Sequence, residues 1–383
     1  MPHPRASGAH AHPGPRARST VRTGAAGLVA LVLVGLLAGC TGLSAGSTST
    51  AVTADADQVP LSEITPAADP RAIVGERTAA SVATPVDPVS DDPSPALPVT
   101  VTDVQGTEVT VTDTSRILAL DLYGSTSRIV FELGLGGSVV GRDVSSDFAE
   151  IADLPLVTSS GHELTGEAIL ELAPTLIITD TSLGPWDTVL QMRDAGIPVV
   201  VVDSERSLDS IGTLIEQVAA AVGLPEEGAE LIARTETEVE AVTAEIDTLV
   251  PADPADRLRV VFLYLRGESG VYYMFGAGSG ADSLISALGG VDVATEIGWE
   301  GMRPLTDEGL ISAQPDLVLV MTKGLESVGG VDGLLEQVPA LAETPAGESR
   351  RVVDMADTQI LSFGPTTAQT LDALARAFYA EQA

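Results

Sequence analysis

The sequence predicts an α/β protein of two repeated lobes, each built on a parallel sheet, joined by one long α-helix with a ligand cleft between them. Three observations carry this. Short apolar runs at 117–120, 176–179, 198–202, 260–265 and 317–321 alternate with helical stretches, the pattern of buried parallel strands linked by crossovers. The second half repeats the first: Leu164-Thr165-Gly166-Glu167 followed by Pro174-Thr175-Leu176 recurs as Leu305-Thr306-Asp307-Glu308 followed by Pro315-Asp316-Leu317. Arg116-Ile117-Leu118 likewise recurs as Arg259-Val260-Val261, and Leu135-Gly136-Gly137 as Leu288-Gly289-Gly290. Matches in the same order mark two related units. Between them, residues 225–250 open with Pro225, carry Glu226 and Glu227 in the first turn, and place Leu231, Ile232, Val239, Val242 and Ile246 on one side. These are the signals of a long amphipathic helix.

The elements follow in order. Arg5, Arg16, Arg18 and Arg22 precede an apolar run at 25–39 that ends at Cys40. At about 1.5 Å per residue that run reaches roughly 22 Å, short of the ~30 Å hydrocarbon core. A basic stretch, an apolar stretch and small residues before the cut read as a secretory signal over 1–39. From Cys40 to residue 97 the chain is rich in Ala, Ser, Thr, Pro and Asp and lacks aromatic residues. Such a composition buries too little apolar surface to offset its ordering entropy, so 41–97 is expected to be a disordered tether. The first lobe is placed at 98–224 and opens with a hairpin turning at Gln105-Gly106. The bridging helix at 225–250 ends before Pro251 and Pro254, and the second lobe occupies 251–383.

Composition excludes several functions. With 54 acidic against 20 basic side chains and a net charge of −34, the surface repels nucleic acid. One Cys rules out an internal disulfide framework. His3, His10 and His12 fall in the leader, leaving His162 alone in the body, too few for a zinc or manganese cage. No activated nucleophile, carboxylate dyad or phosphate loop stands out, so an enzyme is not expected. Gly276-Ala277-Gly278-Ser279-Gly280 lacks a following Lys and reads as a turn opening a helix.

In parallel α/β lobes the ligand lies off the carboxyl ends of the strands. His162 sits there in a Ser-Ser-Gly-His-Glu loop. Tyr264 and Arg266 end the first strand of the second lobe, on one face by strand alternation. Imidazole is a good iron ligand and phenolate a hard anionic one that suits ferric iron. Each residue alone also fits an ordinary role, a solvated loop histidine or a tyrosine of the core or rim. Trp186, Tyr272, Tyr273, Phe275 and Trp299 are candidate wall residues of the cleft.

Leu37-Ala38-Gly39-Cys40 resembles the bacterial lipobox, which implies diacylation of Cys40 and anchoring at the outer face of the cell membrane. Signal, tether, hairpin, lobe, connecting helix and lobe together resemble the substrate-binding proteins of bacterial ABC importers, in the class with a single bridging helix. His in a glycine-containing loop and Tyr-x-Arg ending a strand further resemble the haem-binding lipoproteins of actinobacterial haem importers. The resemblance implies haem b as the transported ligand, with His162 and Tyr264 as axial ligands and Arg266 supporting the tyrosine. It places Met321 near the haem. Where family members often carry a tyrosine, this chain has Met302, and the internal repeat makes Arg303 the counterpart of His162, pointing into the cleft toward a haem propionate. Glu167 and Glu308, in the first turns of equivalent helices, would dock on the ABC permease and its ATPase complex. A monomer receiving haem free or from haem-carrying surface proteins is expected. Ferric-siderophore or cobalamin binding is the rival reading, since neither needs an iron ligand from the protein.

Overall fold

The computed structural model describes residues 50–51, 59–80, 83–159 and 161–381. The apolar leader, Cys40 and the chain immediately after it lie outside the described residues, apart from Thr50–Ala51. Strands β1 (Ile117–Leu120), β2 (Leu176–Thr179) and β3 (Val199–Val201) form a parallel sheet in that order. All three are buried along their whole length, which explains their unbroken apolar composition. Helix α1 (Pro225–Asp247) follows. It packs on helices Ile211–Val222 and Thr367–Tyr379, and a Cβ at Gly228 would lie 2.4 Å from the Ala219 methyl, so glycine permits the close approach. Among the described residues no helix is long and apolar enough to cross a membrane.

The second sheet contains β4 (Arg259–Arg266), β5 (Val271–Phe275), β6 (Met302–Pro304), β7 (Leu317–Met321) and β8 (Val352–Met355). Its order is β8-β7-β4-β5-β6, with Arg77–Thr78 beyond β8. Strands β4, β7 and β8 run parallel, whereas β5 and β6 are antiparallel additions. The expected parallel sheet is present and carries two further strands joined by antiparallel pairing. They arise at Gly267–Ser269, a single tight turn closed by Gly270 at φ +61°, which sends β4 directly back as β5 without a crossover helix.

The internal repeat is visible in atomic detail. Arg116 precedes β1 and its Nε donates to Leu172 O (3.0 Å) and Ala173 O (3.1 Å), capping helix Gly166–Glu171. Arg259, which begins β4, donates from Nε to Gln314 O (3.3 Å) and from Nη2 to Ala313 O (2.9 Å), capping helix Asp307–Ala313. Ala173 and Gln314 both take the left-handed conformation, at φ 44° and 43°. In each half the same backbone device turns a helix into the next parallel strand.

The tether reading of 41–97 needs correction in its described part. Leu61, Ile73 and Ala79 are buried, and Arg77–Thr78 adds a parallel strand to β8. Arg77 Nη1 donates to Ala377 O (3.2 Å) and Ala380 O (2.8 Å) at the end of the last helix. Further along, Arg128 donates to the carbonyls of Thr84 and Pro85, and Arg234 to that of Asp87. Few aromatics are needed when arginines of the body reach out to backbone carbonyls. Replacing Arg77 by Ala is expected to cost about 1.5–3 kcal/mol, the range for hydrogen bonds to a charged donor. Urea unfolding measures this, and an unchanged midpoint would show that the segment adds no stability.

Candidate ligand-binding site

His162 rides on the tip of a small hairpin that pairs Thr158–Ser159 with Glu163–Leu164. Gly161 makes the turn at φ +86°, and Leu164 N donates to Gly184 O (2.6 Å), fixing the hairpin to the loop beyond β2. The imidazole is half-buried, and its Nδ1 is shielded from solvent without a hydrogen-bond partner. A buried ring nitrogen left unsatisfied is a group waiting for a partner. Burial lowers the His162 pKa, and the charges of Arg266 and Lys323 lower it further against the opposing pull of Asp357. The ring is therefore held in the neutral form that binds metals.

Those neighbours belong to the other half of the chain. Tyr264 and Arg266 lie at the carboxyl end of β4, and Arg266 Nε donates to the Tyr264 hydroxyl oxygen. The guanidinium also lies over the phenol, 5.4 Å from the ring centre. Tyr273 and Phe275 of β5 flank the tyrosine, at ring separations of 6.5 and 6.1 Å. Arg266 is thus bonded to Tyr264, and its charge is felt at His162, in the other half of the chain.

Strand register sorts the remaining candidates. Residues directly opposite across antiparallel strands share a face. Tyr264 pairs with Tyr273, Phe262 with Phe275, and Phe275 with Met302, so Met302 is on the Tyr264 face, 55% exposed. Met321 ends β7 and packs, partly buried, against the same core as Tyr264 and Tyr273. Arg303 pairs with Met274 and lies on the opposite face, at 3.6 Å from Glu300. The expectation that it points into the cleft fails because the two-residue period of β6 turns it away when Met302 points in. Tyr272 and Trp299 also belong to that far side: Tyr272 Oη bonds Gln337, and Trp299 Nε1 donates to Met274 O (3.0 Å). Trp186 begins helix Trp186–Asp194 and packs against the core of the first sheet. Glu167 and Glu308 are exposed in the first turns of helices Gly166–Glu171 and Asp307–Ala313.

Two features had escaped the sequence reading. Lys323, two residues after Met321, adds a positive charge that lowers the His162 pKa; its signal was there, since it is the sole lysine of the chain. The other is a buried ionic cluster at the carboxyl ends of β1 and β2. Arg206 Nη2 bridges Asp121 Oδ2 (3.0 Å) and Asp180 Oδ2 (2.8 Å), with Asp143 beneath them. A separate cavity of about 340 Å³ is lined by Tyr123, Ser125, Phe148, Thr358 and Gln369. It includes neither His162 nor Tyr264.

A family profile for periplasmic binding proteins matches residues 121–358. The chain belongs to this family. It is 44% identical to the heme binding protein HmuT, whose crystal structure matches with a TM-score of 0.77 over 82% of this chain and 100% of that one. Crystal structures of three HmuT variants match equally well. In these a histidine, a tyrosine or an arginine is replaced by alanine, the last two being two positions apart, as Tyr264 and Arg266 are. The periplasmic heme-binding protein RhuT from Roseiflexus sp. RS-1, in its apo form, is 40% identical with a TM-score of 0.63, covering 70% of this chain and 98% of its own. The uncharacterized ABC transporter substrate-binding lipoprotein YvrC of Bacillus subtilis (strain 168) is 23% identical over 290 residues, 74% of this chain and 86% of that protein.

Proposed function

We propose that this protein captures haem outside the cytoplasm and delivers it to an ABC permease. The observation that carries the reading is the solvent-shielded, unpartnered Nδ1 of His162, whose pKa feels the charge of the Arg266 bonded to Tyr264. The similarity to haem-binding proteins supports it. His162 supplies a neutral nitrogen from one half, and Tyr264 a phenolate oxygen from the other. A flat metallomacrocycle between them is hexacoordinate. Arg266 compensates the charge that the phenolate gains, and Met302 and Met321 offer soft apolar contact beside the ring. Cys40 carries the lipid that holds the protein at the membrane. Glu167 and Glu308, at like positions of repeated helices, engage basic residues of the permease, one from each half.

Titrating the purified protein with hemin tests this. The expected result is one haem per chain, with a Soret band and spectrum of six-coordinate ferric iron. Saturable binding of a ferric siderophore or cobalamin with no response to hemin would overturn the reading in favour of that ligand.

A further inference from the structure

His162 and Tyr264 belong to different halves of the chain, so the site proposed above depends on how the halves are spaced. Direct packing leaves a gap on one side. A cavity of about 340 Å³ is lined there by Tyr123, Ser125 and Phe148 of the first half and by Thr358 and Gln369 of the second. Its walls meet where Thr358 Oγ1 donates to Asp147 Oδ2 (3.1 Å). Two units joined over such a void move relative to each other unless a further contact holds them.

The segment ahead of the first half is anchored to both. Its early part is bound to the second half: Arg71 Nε lies 3.3 Å from Asp316 Oδ2, Gly75 N donates to Ser349 O (2.9 Å), and Ala79 N donates to Asp354 O (2.7 Å). Arg77–Thr78 pairs with β8 between these points. Its later part is bound to the first half: Arg128 donates from Nη1 to Thr84 O and from Nη2 to Pro85 O (2.8 Å each), and Val86 N donates to Glu150 Oε1 (2.9 Å). Val89 N donates to Glu132 O (2.8 Å), and Arg234 of α1 donates to Asp87 O (2.6 Å). Hydrogen bonds from a guanidinium are the strong ones, so these are firm points of attachment. Ala79 and Thr84, fixed on different halves, are five residues apart, a reach of at most roughly 18 Å. Residues 83–85 also form part of the cavity wall, so the second anchor stands at the void itself. Domain closure turns on a few hinge residues, and a second short connection blocks rotation about them. Resting on the haem reading for its consequence, we infer that the segment anchored at 71–79 and 84–89 is a strap. In addition to helix α1, it holds the two halves at the spacing at which His162 and Tyr264 reach one iron.

The test severs the strap after folding, so that folding itself is not at issue. A recognition site for a sequence-specific protease replaces Ser81-Val82, and the same sample is measured before and after the cut. Spin labels at Leu170→Cys and Ile311→Cys, one exposed position on each half, report the distance between the halves in a Cys40→Ser background. Cleavage is expected to broaden the distance distribution of the ligand-free protein. It is also expected to speed hemin release, followed by transfer to apomyoglobin, at least about fivefold, the lower end of coupling between distant sites. Identical distributions before and after the cut would overturn the inference, whether or not hemin binds. A broadened distribution with unchanged hemin release would overturn it too, since the spacing would then not govern the site. Failure of the unaltered protein to bind hemin would overturn the haem reading, and the distances would still uphold or overturn the strap.

Discussion

Replacing Tyr264 by Phe is expected to abolish the phenolate-to-iron charge-transfer absorption of the ferric complex and to weaken hemin binding on the order of 100-fold or more. The scale follows from a comparison. Loss of a residue that only supports a metal ligand typically costs about 10–100-fold in affinity, and Tyr264 is the ligand itself in this reading. Phe keeps the ring contacts with Tyr273 and Phe275, so packing on β5 survives and the change reports on the oxygen alone. Arg266→Ala should fall within the supporting range, because it removes the donor to that oxygen but not the oxygen. His162→Ala removes the opposite ligand and should leave a five-coordinate, tyrosine-bound spectrum. Absorbance titration of the four proteins side by side checks the set. If Tyr264→Phe retains the charge-transfer band and the affinity, iron is not bound by this tyrosine.

These residues were legible in the sequence because each sits at a place where the pattern forces its position. Tyr264 and Arg266 end an apolar run, so strand alternation alone puts them together, and the structure bonds them. The paired arginines before β1 and β4 made the duplication readable, and each performs the same capping. What escaped was decided by pairing between distant segments. Whether Arg303 or Met302 faces the tyrosine depends on the register of β6 against β5, set by an antiparallel turn that local composition does not announce. Arg77–Thr78 joins the sheet through backbone pairing with β8, far along the chain, and so reads as tether. The buried cluster was illegible for a related reason: Asp121, Asp143, Asp180 and Arg206 are isolated polar residues in sequence, and only the parallel sheet brings the ends of β1 and β2 together around one guanidinium.

That cluster carries the largest expected effect on stability. Arg206→Met should cost about 3–5 kcal/mol near neutral pH, the penalty for stripping the partner from buried charge. The Arg206 side chain is 2% exposed and both bridged carboxylates are fully buried, so water cannot replace the guanidinium. The same segment ties the two halves of the chain together, since Leu208 N donates to Ser283 Oγ (3.0 Å) of helix Ala281–Ala287. The cluster also sets a pH dependence. Burial, and then the charge of Asp121, push Asp143 up to about 7 and Asp180 up to about 6, the latter against the attraction of Arg206. Both carboxyls therefore hold protons in the folded state at pH values where the unfolded chain, near 3.8, has lost them. The folded state binds more protons, so this contribution to stability is full below about pH 4 and lost as pH rises to about 7. Two results follow from urea unfolding between pH 5 and 8. The penalty of Arg206→Met shrinks toward pH 5, where Asp180 takes a proton, and Asp143→Asn flattens the decline between pH 5 and 7. A penalty that is the same at pH 5 and pH 8 would show that the carboxylates stay ionised without their arginine.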